Sequence, residues 1–240
     1  MTCAPHARYT IVHMRFSKDT AGVAIDAISV NIGTELEHSM GVLWLVSGGS
    51  AILPQCEVMS RLRSKLSEEA LEKLTILPVD ERYGAYDHKL SNSAQMRRAG
   101  FEPGAATWHD VLDQRLPMTE TVERYTELAE AAFAEARTVI ATLGMGSDAH
   151  TAGLLPASPA VTDTISTVVG YSWTDYERMT LGSRMLRQID LADVLAYGES
   201  KRTALERLQQ NGEPFGSMPA KLLYELPEVT VYNDFIESEG

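Results

Sequence analysis

The stretch LGMGSDAHTAGLLP, residues 143–156, decides how the rest of this chain is interpreted. It overlaps TVIATL (138–143), a β-branched, uncharged run that is typical of a strand buried on both faces of a parallel sheet. Gly144 and Gly146 then allow the backbone to turn sharply and to approach a ligand, and Asp148 and His150 follow directly. Histidine has the side chain whose ordinary pKa best suits proton transfer near neutrality, and a nearby carboxylate can orient it. The stretch therefore predicts an active-site loop.

Strand-like and helix-like periods alternate outward from this loop. Strands are predicted at 42–46, 74–79, 138–143, 178–182, 193–198 and 229–233. Helices are predicted at 18–38, from Ser50 to about Leu66, at 119–136 and at 200–210, whereas 80–117 is predicted as a long loop and 157–177 as irregular. This alternation predicts an α/β fold: a doubly wound, mainly parallel sheet flanked by helices in a single domain over residues 1–240, with ligands outside the carboxyl ends of the strands.

Composition narrows the class of partner. The chain has 21 basic and 33 acidic residues and a formal net charge of −12, which argues against nucleic acid or an anionic membrane surface as the main partner. An anionic ligand would therefore need a local cluster of cations and backbone amides. The two cysteines, Cys3 and Cys56, lack metal-ligand or disulfide spacing, and no apolar run approaches about 18 residues. We expect a cytoplasmic protein.

Two other segments have the composition of ligand-binding loops. In SGGS (47–50), Gly48 and Gly49 bring bare backbone amides to the start of a helix, which suits a phosphate or a sugar hydroxyl, although a simple tight turn explains them equally well. In DER (80–82), Arg82 can bind phosphate through two hydrogen bonds, and Asp80 or Glu81 can hold its guanidinium group in position. A solvated ion-pair cluster is the ordinary alternative for such a run.

Four segments, in order, resemble the 6-phosphogluconolactonases, which share a fold with the glucosamine-6-phosphate isomerases and deaminases. They are LWLVSGGSAILP (43–54), LPVDERYGAYDHKLSN (77–92), LGMGSDAHTAGLLP (143–156) and RMTLGSRMLRQIDLADVLAYGESK (178–201). The resemblance implies hydrolysis of 6-phospho-D-glucono-1,5-lactone, a step of the oxidative pentose phosphate pathway. It also implies a small-molecule sugar-phosphate substrate without metal or cofactor, and we expect a monomer or weak homodimer.

The implied site combines the residues of all four segments. His150 is expected to activate the attacking water, and Asp148, the second catalytic residue, either to hold the imidazole or to order water. Amides of the glycine loop or a nearby cation are expected to stabilise the negative carbonyl oxygen. The expected substrate-binding residues are Gly48, Gly49, Ser50, Asp80, Glu81, Arg82, Gly144, Gly146, Arg178 and Lys201. Asn92 is expected to tether its loop.

Departures from the family pattern leave two other functions open. The chain has Asp-Ala-His where lactonases usually have Asp-Gly-His, Gly153 where they have serine, and YGAY (83–86) in place of Val-Pro. We expect the loop at Ala149 to relax to an ordinary conformation, because a left-handed alanine requires a rigid surround. A sugar-phosphate isomerase or deaminase with Asp80 as its base is one alternative, although that branch typically has DEY. A non-catalytic sugar-phosphate sensor is the other.

Overall fold

A seven-stranded sheet, with every strand pair parallel, forms the centre of the molecule. The computed structural model describes residues 13–38, 41–112, 116–174 and 176–238. The strands are β1 (His13–Ser17), β2 (Val42–Val46), β3 (Leu74–Pro78), β5 (Thr107–Trp108), β6 (Thr138–Gly144), β9 (Leu191–Ala196) and β10 (Glu228–Asn233), in the spatial order β1-β10-β9-β6-β2-β3-β5. Between β3 and β5 in the chain lies β4 (Asp80–Arg82), and between β6 and β9 lie β7 (Val168–Ser172) and β8 (Glu177–Leu181).

Helices cover both faces of this sheet. They are α1 (Ala21–His38), α2 (Ile52–Lys65), α3 (Glu68–Leu71), α4 (Asn92–Arg98), α5 (Met118–Glu135), α6 (Pro159–Thr162), α7 (Ser183–Leu186) and α8 (Arg202–Gln210). Strand β2 shows why two layers are needed: Leu43 and Leu45 join a core cluster with α5 and α8, whereas Val42 and Trp44 join another with α1 and α2. A strand that is apolar on both faces is stable only between two helical layers. The prediction of a doubly wound α/β fold is confirmed.

The direction of chain winding reverses between β2 and β6. The chain runs outward from β2 through β3 to β5 on one side, then returns to β6 and continues through β9 to β10 on the other. The loops that follow β2 and β6 consequently leave from adjacent carboxyl ends and diverge. Open α/β sheets bind their ligands in the crevice that this divergence creates.

A second sheet corrects two of the loop predictions. Strands β4, β8 and β7 form an antiparallel three-stranded sheet, so the supposed long loop at 80–117 contains β4, α4 and β5. The span 157–177 similarly contains α6 and β7 and reaches the first residue of β8. Three- and two-residue strands carry too few residues for alternation to be recognised. The small sheet matters because β4 begins two residues after β3 ends, at the crevice.

The other predicted helices and strands lie within a few residues of their predicted bounds, whereas β1, α3 and α7 were not predicted. The helix predicted at 200–210 begins with a 3₁₀ turn at Glu199–Lys201 and ends at Asn211, which adopts a left-handed conformation. Among the described residues, no helix is both long enough and apolar enough to cross a membrane. Cys3 lies outside the described residues, and Cys56 has no disulfide partner within them.

Candidate functional site

One cavity at the crevice collects residues from all four segments singled out in the sequence. Its walls come from the loops after β2 and β6, from the small sheet and from the turn after β9. It is lined by Ser47, Gly48, Gly49, Ser50, Asp80, Arg82, Asn92, Gly144, Met145, Gly146, His150, Ala152, Gly153, Arg178 and Lys201. Of the predicted site residues, only Asp148 and Glu81 do not line it.

Asp148 and His150 form a hydrogen-bonded dyad at the cavity wall. The Nδ1 atom of His150 lies 2.6 Å from Oδ1 of Asp148, and both side chains are partly exposed, at 39% and 50% respectively. The same carboxylate oxygen accepts the His150 amide at 3.2 Å. Hydrogen bonding from His150 lowers the pKa of the Asp148 carboxyl to about 2, so the carboxylate is charged at neutral pH. An Nδ1–H that donates to this carboxylate leaves Nε2 as the acceptor nitrogen, which is the form a general base needs.

Position 146 must be glycine because the side chains of His150 and Asp148 lie against its backbone. A Cβ at position 146 would lie 2.1 Å from Nδ1 of His150 and 2.4 Å from Oδ1 of Asp148. Those distances are far below van der Waals contact, so any side chain there would displace His150 and Asp148. The imidazole therefore packs directly on the backbone of the glycine loop.

The expectation of a relaxed loop at Ala149 is wrong. Ala149 has φ +64° and Ala152 has φ +50°, so both lie in the left-handed region. Ala149 is fully buried, its amide donates to the Gly146 carbonyl at 3.1 Å, and its carbonyl accepts the Ala220 amide at 3.0 Å. Hydrogen bonds at both ends, together with close packing, provide the rigid surround that a left-handed alanine requires.

The small sheet anchors the other half of the loop. Thr180 donates through its hydroxyl to the Ala152 carbonyl, and Tyr171 donates to the Gly153 carbonyl at 2.5 Å. Gly153 has φ +70°, and a Cβ there would lie 2.6 Å from Cβ of Asp80. Position 153 therefore needs glycine in this chain. Sequence reasoning missed the anchoring roles of Thr180 and Tyr171, because the small sheet that positions them was only partly recognised.

Two arginines stand side by side on the small sheet. Arg82 on β4 is the direct cross-strand partner of Arg178 on β8, so both side chains project from the same face, and both line the cavity. Like charges directly opposite one another destabilise a strand pair, which favours a functional reason for placing them there. The guanidinium of Arg82 donates to the Leu90 carbonyl at 3.1 Å. Among the described residues, neither Asp80 nor Glu81 forms the predicted ion pair with this guanidinium.

Lys201 and the SGGS segment also line the cavity. Gly49, with φ +67°, begins a 3₁₀ turn that leads into α2, and helix starts of this kind favour anions. Lys201 ends the 3₁₀ turn before α8. The cavity therefore has cationic side chains from both the small sheet and the turn after β9, although the chain is acidic overall.

Asp80 places one carboxylate in this cationic cavity. Its residue is 8% exposed, and no hydrogen bond or ion pair to its carboxylate is found within the described part of the chain. The carboxylate oxygens of Asp80 are not fully buried, and the residue lines the cavity, so a ligand that donates a hydrogen bond can reach them.

Glu81 is a structural residue, which corrects the expectation that it binds substrate. It is fully buried, and its two oxygens accept four hydrogen bonds, all at 2.6–3.0 Å. The donors are the amides of Arg82, Asn92 and Ser93 and the hydroxyl of Ser91. Burial raises the pKa of this carboxyl, and the four bonds act in the opposite direction. Glu81 thus fixes the start of α4.

Asn92 confirms the predicted tether. Its Nδ2 donates to the Asp80 carbonyl at 2.9 Å, which ties the start of α4 to β4. A Cβ at Gly48 would lie 1.8 Å from Oδ1 of Asn92, so the amide also packs against the SGGS loop. No group of three or more metal-binding side chains occurs in the described residues.

The fold and this cavity can now be compared with known proteins. A family model described as glucosamine-6-phosphate isomerases/6-phosphogluconolactonase matches residues 17–231. The chain belongs to this family. A 6-phosphogluconolactonase of Synechocystis sp. is 29% identical over an alignment of 180 residues. The match covers 70% of this chain and 71% of that protein.

Solved structures agree on the fold without separating the two branches of the family. A 6-phosphogluconolactonase from Thermotoga maritima is 19% identical, with a TM-score of 0.74 over 92% of this chain and 99% of that one. A monomeric glucosamine-6-phosphate deaminase is 16% identical, also with a TM-score of 0.74, over 92% and 97%. Since a lactonase and a deaminase fit equally well, the choice between them depends on the cavity residues.

Proposed function

We propose that this protein hydrolyses 6-phospho-D-glucono-1,5-lactone to 6-phospho-D-gluconate. The observation that carries the proposal is the 2.6 Å hydrogen bond between His150 and Asp148, which orients the imidazole for a role as general base. His150 lines the same cavity as the paired arginines Arg82 and Arg178. The lactonase relative from Synechocystis sp. supports the same assignment.

The chemistry needs a water, a base and a stabilised oxyanion. Nε2 of His150 takes a proton from water as the water oxygen bonds to C1 of the lactone, and the carbonyl oxygen becomes negative. Collapse of this intermediate breaks the bond from C1 to the ring oxygen, which receives the proton from His150. Asp148 stays ionised throughout and stabilises the imidazolium. Amides of the glycine loops and the nearby cations are the candidates for stabilising the oxyanion.

The cations would hold the phosphate away from the reacting carbon. Arg82 and Arg178, adjacent across the two strands, present two guanidinium groups to one phosphate. Lys201, which also lines the cavity, is a third candidate. Holding the substrate at both ends limits its motion, which is the main advantage that a site of this kind has over solution.

The discriminating experiment measures acid release from freshly prepared 6-phosphogluconolactone against its spontaneous rate. We expect clear acceleration that survives exhaustive chelation, because the described residues offer no metal-binding cluster. A matched His150→Gln variant should lose about 10²–10⁴-fold in kcat with little change in KM. A folded variant that loses less than about tenfold would remove His150 from the base role.

A sugar-phosphate isomerase or deaminase is the second candidate, and the free Asp80 carboxylate favours it. Such an enzyme needs a carboxylate base to move a proton between C1 and C2. The same preparation is therefore tested for ammonia release from glucosamine 6-phosphate. Ammonia release without lactone hydrolysis would establish this alternative, and tight binding of 6-phosphogluconate with neither reaction would indicate a sensor.

A further inference from the structure

A short segment outside the cavity is joined to the catalytic loop by backbone hydrogen bonds. Residues 211–220, here called the clamp segment, join α8 to the 3₁₀ helix at Pro219–Glu225, whose first two residues they include. Met218 and Ala220 are fully buried and share a core cluster with Ala149 and Ala152. The clamp segment and the catalytic loop therefore contribute to the same hydrophobic core.

Two backbone hydrogen bonds join the clamp segment to the loop. The Ala157 amide donates to the Gly216 carbonyl at 2.9 Å, and the Ala220 amide donates to the Ala149 carbonyl at 3.0 Å. The second bond acts on the peptide group that links Ala149 to His150. The N–H of that same peptide donates to Oδ1 of Asp148 at 3.2 Å. Both ends of the peptide unit are thus fixed, and its plane sets the direction in which the His150 side chain leaves the backbone.

An ion pair holds the clamp segment to the end of α8. The guanidinium of Arg207 donates from Nε and Nη2 to the two oxygens of Glu213, at 2.6 and 2.7 Å. Lys221 then donates to the Glu213 carbonyl at 2.9 Å, so Glu213 is held through both its side chain and its backbone. The hydrogen bond to Glu213 raises the pKa of Arg207, and the negative charges of Glu213 and Asp148 act in the same direction.

We propose that Glu213 and Arg207 are positioning residues for His150, acting through the clamp segment and the Ala149–His150 peptide. Neither residue lines the cavity, so neither would touch the substrate. The proposal rests on the proposed hydrolase function for its kinetic consequence. Its structural consequence, a rigid Ala149–Ala220 contact, can be measured without any activity.

The test compares Glu213→Gln and Arg207→Gln with a matched control, Glu102→Gln. Glu102 also forms a surface ion pair, through one hydrogen bond of 2.7 Å with Arg63 of α2, and it lies between α4 and β5, outside both the clamp segment and the loop. In Glu213→Gln and Arg207→Gln we expect kcat to fall roughly tenfold at nearly constant KM, because small displacements of a catalytic group are costly. Because both substitutions weaken the same ion pair, the double variant Arg207→Gln/Glu213→Gln should lose little more kcat than the more impaired single variant. The control should retain wild-type kcat and KM.

Amide hydrogen exchange provides the readout that is independent of activity. The Ala220 and Ala157 amides should exchange faster by roughly tenfold in Glu213→Gln than in the control, while core-strand amides stay unchanged. Unchanged exchange and unchanged kcat in Glu213→Gln would overturn the proposal, as would equal losses in the Glu102→Gln control. If the wild-type protein fails to hydrolyse the lactone, the proposed function fails, and the exchange measurement still decides whether the clamp segment fixes the loop.

Discussion

Replacing Ala149 by glycine tests the left-handed conformation of the catalytic loop. At φ +64°, alanine is strained by about 1–2 kcal/mol, and glycine removes that strain. Two effects act against glycine: loss of one buried methyl group costs about 0.8 kcal/mol, and the greater freedom of the unfolded chain costs about 0.5–1 kcal/mol. The opposing effects nearly cancel, so the free energy of unfolding of Ala149→Gly should stay within about 1 kcal/mol of the wild-type value.

A matched variant isolates the strain. Ala129 is equally buried but lies within helix α5, where alanine is unstrained. In Ala129→Gly, the lost methyl group and the greater freedom of the unfolded chain should both destabilise the protein, and no backbone strain is released in return. We therefore expect a destabilisation of roughly 1.3–1.8 kcal/mol. Urea unfolding of both variants should therefore show Ala149→Gly to be more stable than Ala129→Gly by about 1–2 kcal/mol. Equal destabilisation would refute the reasoning, because it would mean that no strain is released at position 149.

The remaining predictions concern the structural and binding carboxylates and the cations. Glu81→Gln should destabilise the fold by about 1–3 kcal/mol in urea unfolding, because an NH₂ group would then face two donors. Unchanged stability would contradict its structural role. Because the folded pKa of Asp148 lies near 2, below its ordinary value, its contribution to stability is complete above about pH 4 and is lost as the pH falls towards 2. Unfolding measured at successive pH values should show a shallower acid loss in Asp148→Asn; an identical profile would contradict the cause of the shift. Arg82→Ala and Arg178→Ala should each weaken binding of the phosphorylated lactone by roughly 10–150-fold and spare glucono-1,5-lactone; equal losses on both would exclude a phosphate role.

Long periodic segments made the main sheet and its principal helices predictable. Strands such as VLWLV (42–46) and TVIATL (138–143) are apolar on both faces, which only a central parallel strand between helical layers explains. Strands β4 and β5, by contrast, have three and two residues, and their pairing is decided by partners distant in the chain. Local patterns contain no information about such partners.

Several cavity residues were predictable because they follow recognisable strands, as Gly49 follows β2 and His150 follows β6. Glu81 was assigned wrongly since its neighbours Asp80 and Arg82 do face the cavity, and alternation along β4 sends the middle residue into the protein. The prediction of a relaxed conformation at Ala149 was wrong for a different reason. Its conformation depends on the Ala220 amide, which lies 71 positions later in the chain, and no local preference of alanine predicts it.

Three locally unfavourable features of this protein lie at the proposed catalytic loop and the cavity beside it. Arg82 faces Arg178 across two strands, the Asp80 carboxylate has no partner among the described residues, and Ala149 is held in a left-handed conformation. Such exceptions to local preference are expected at functional sites. The phosphate of a sugar phosphate would offset the repulsion between the two arginines, and a sugar hydroxyl would donate to Asp80. The strain at Ala149 has a different explanation under the proposed function, because the peptide that Ala149 shares with His150 is the one that Ala220 and Asp148 hold in place.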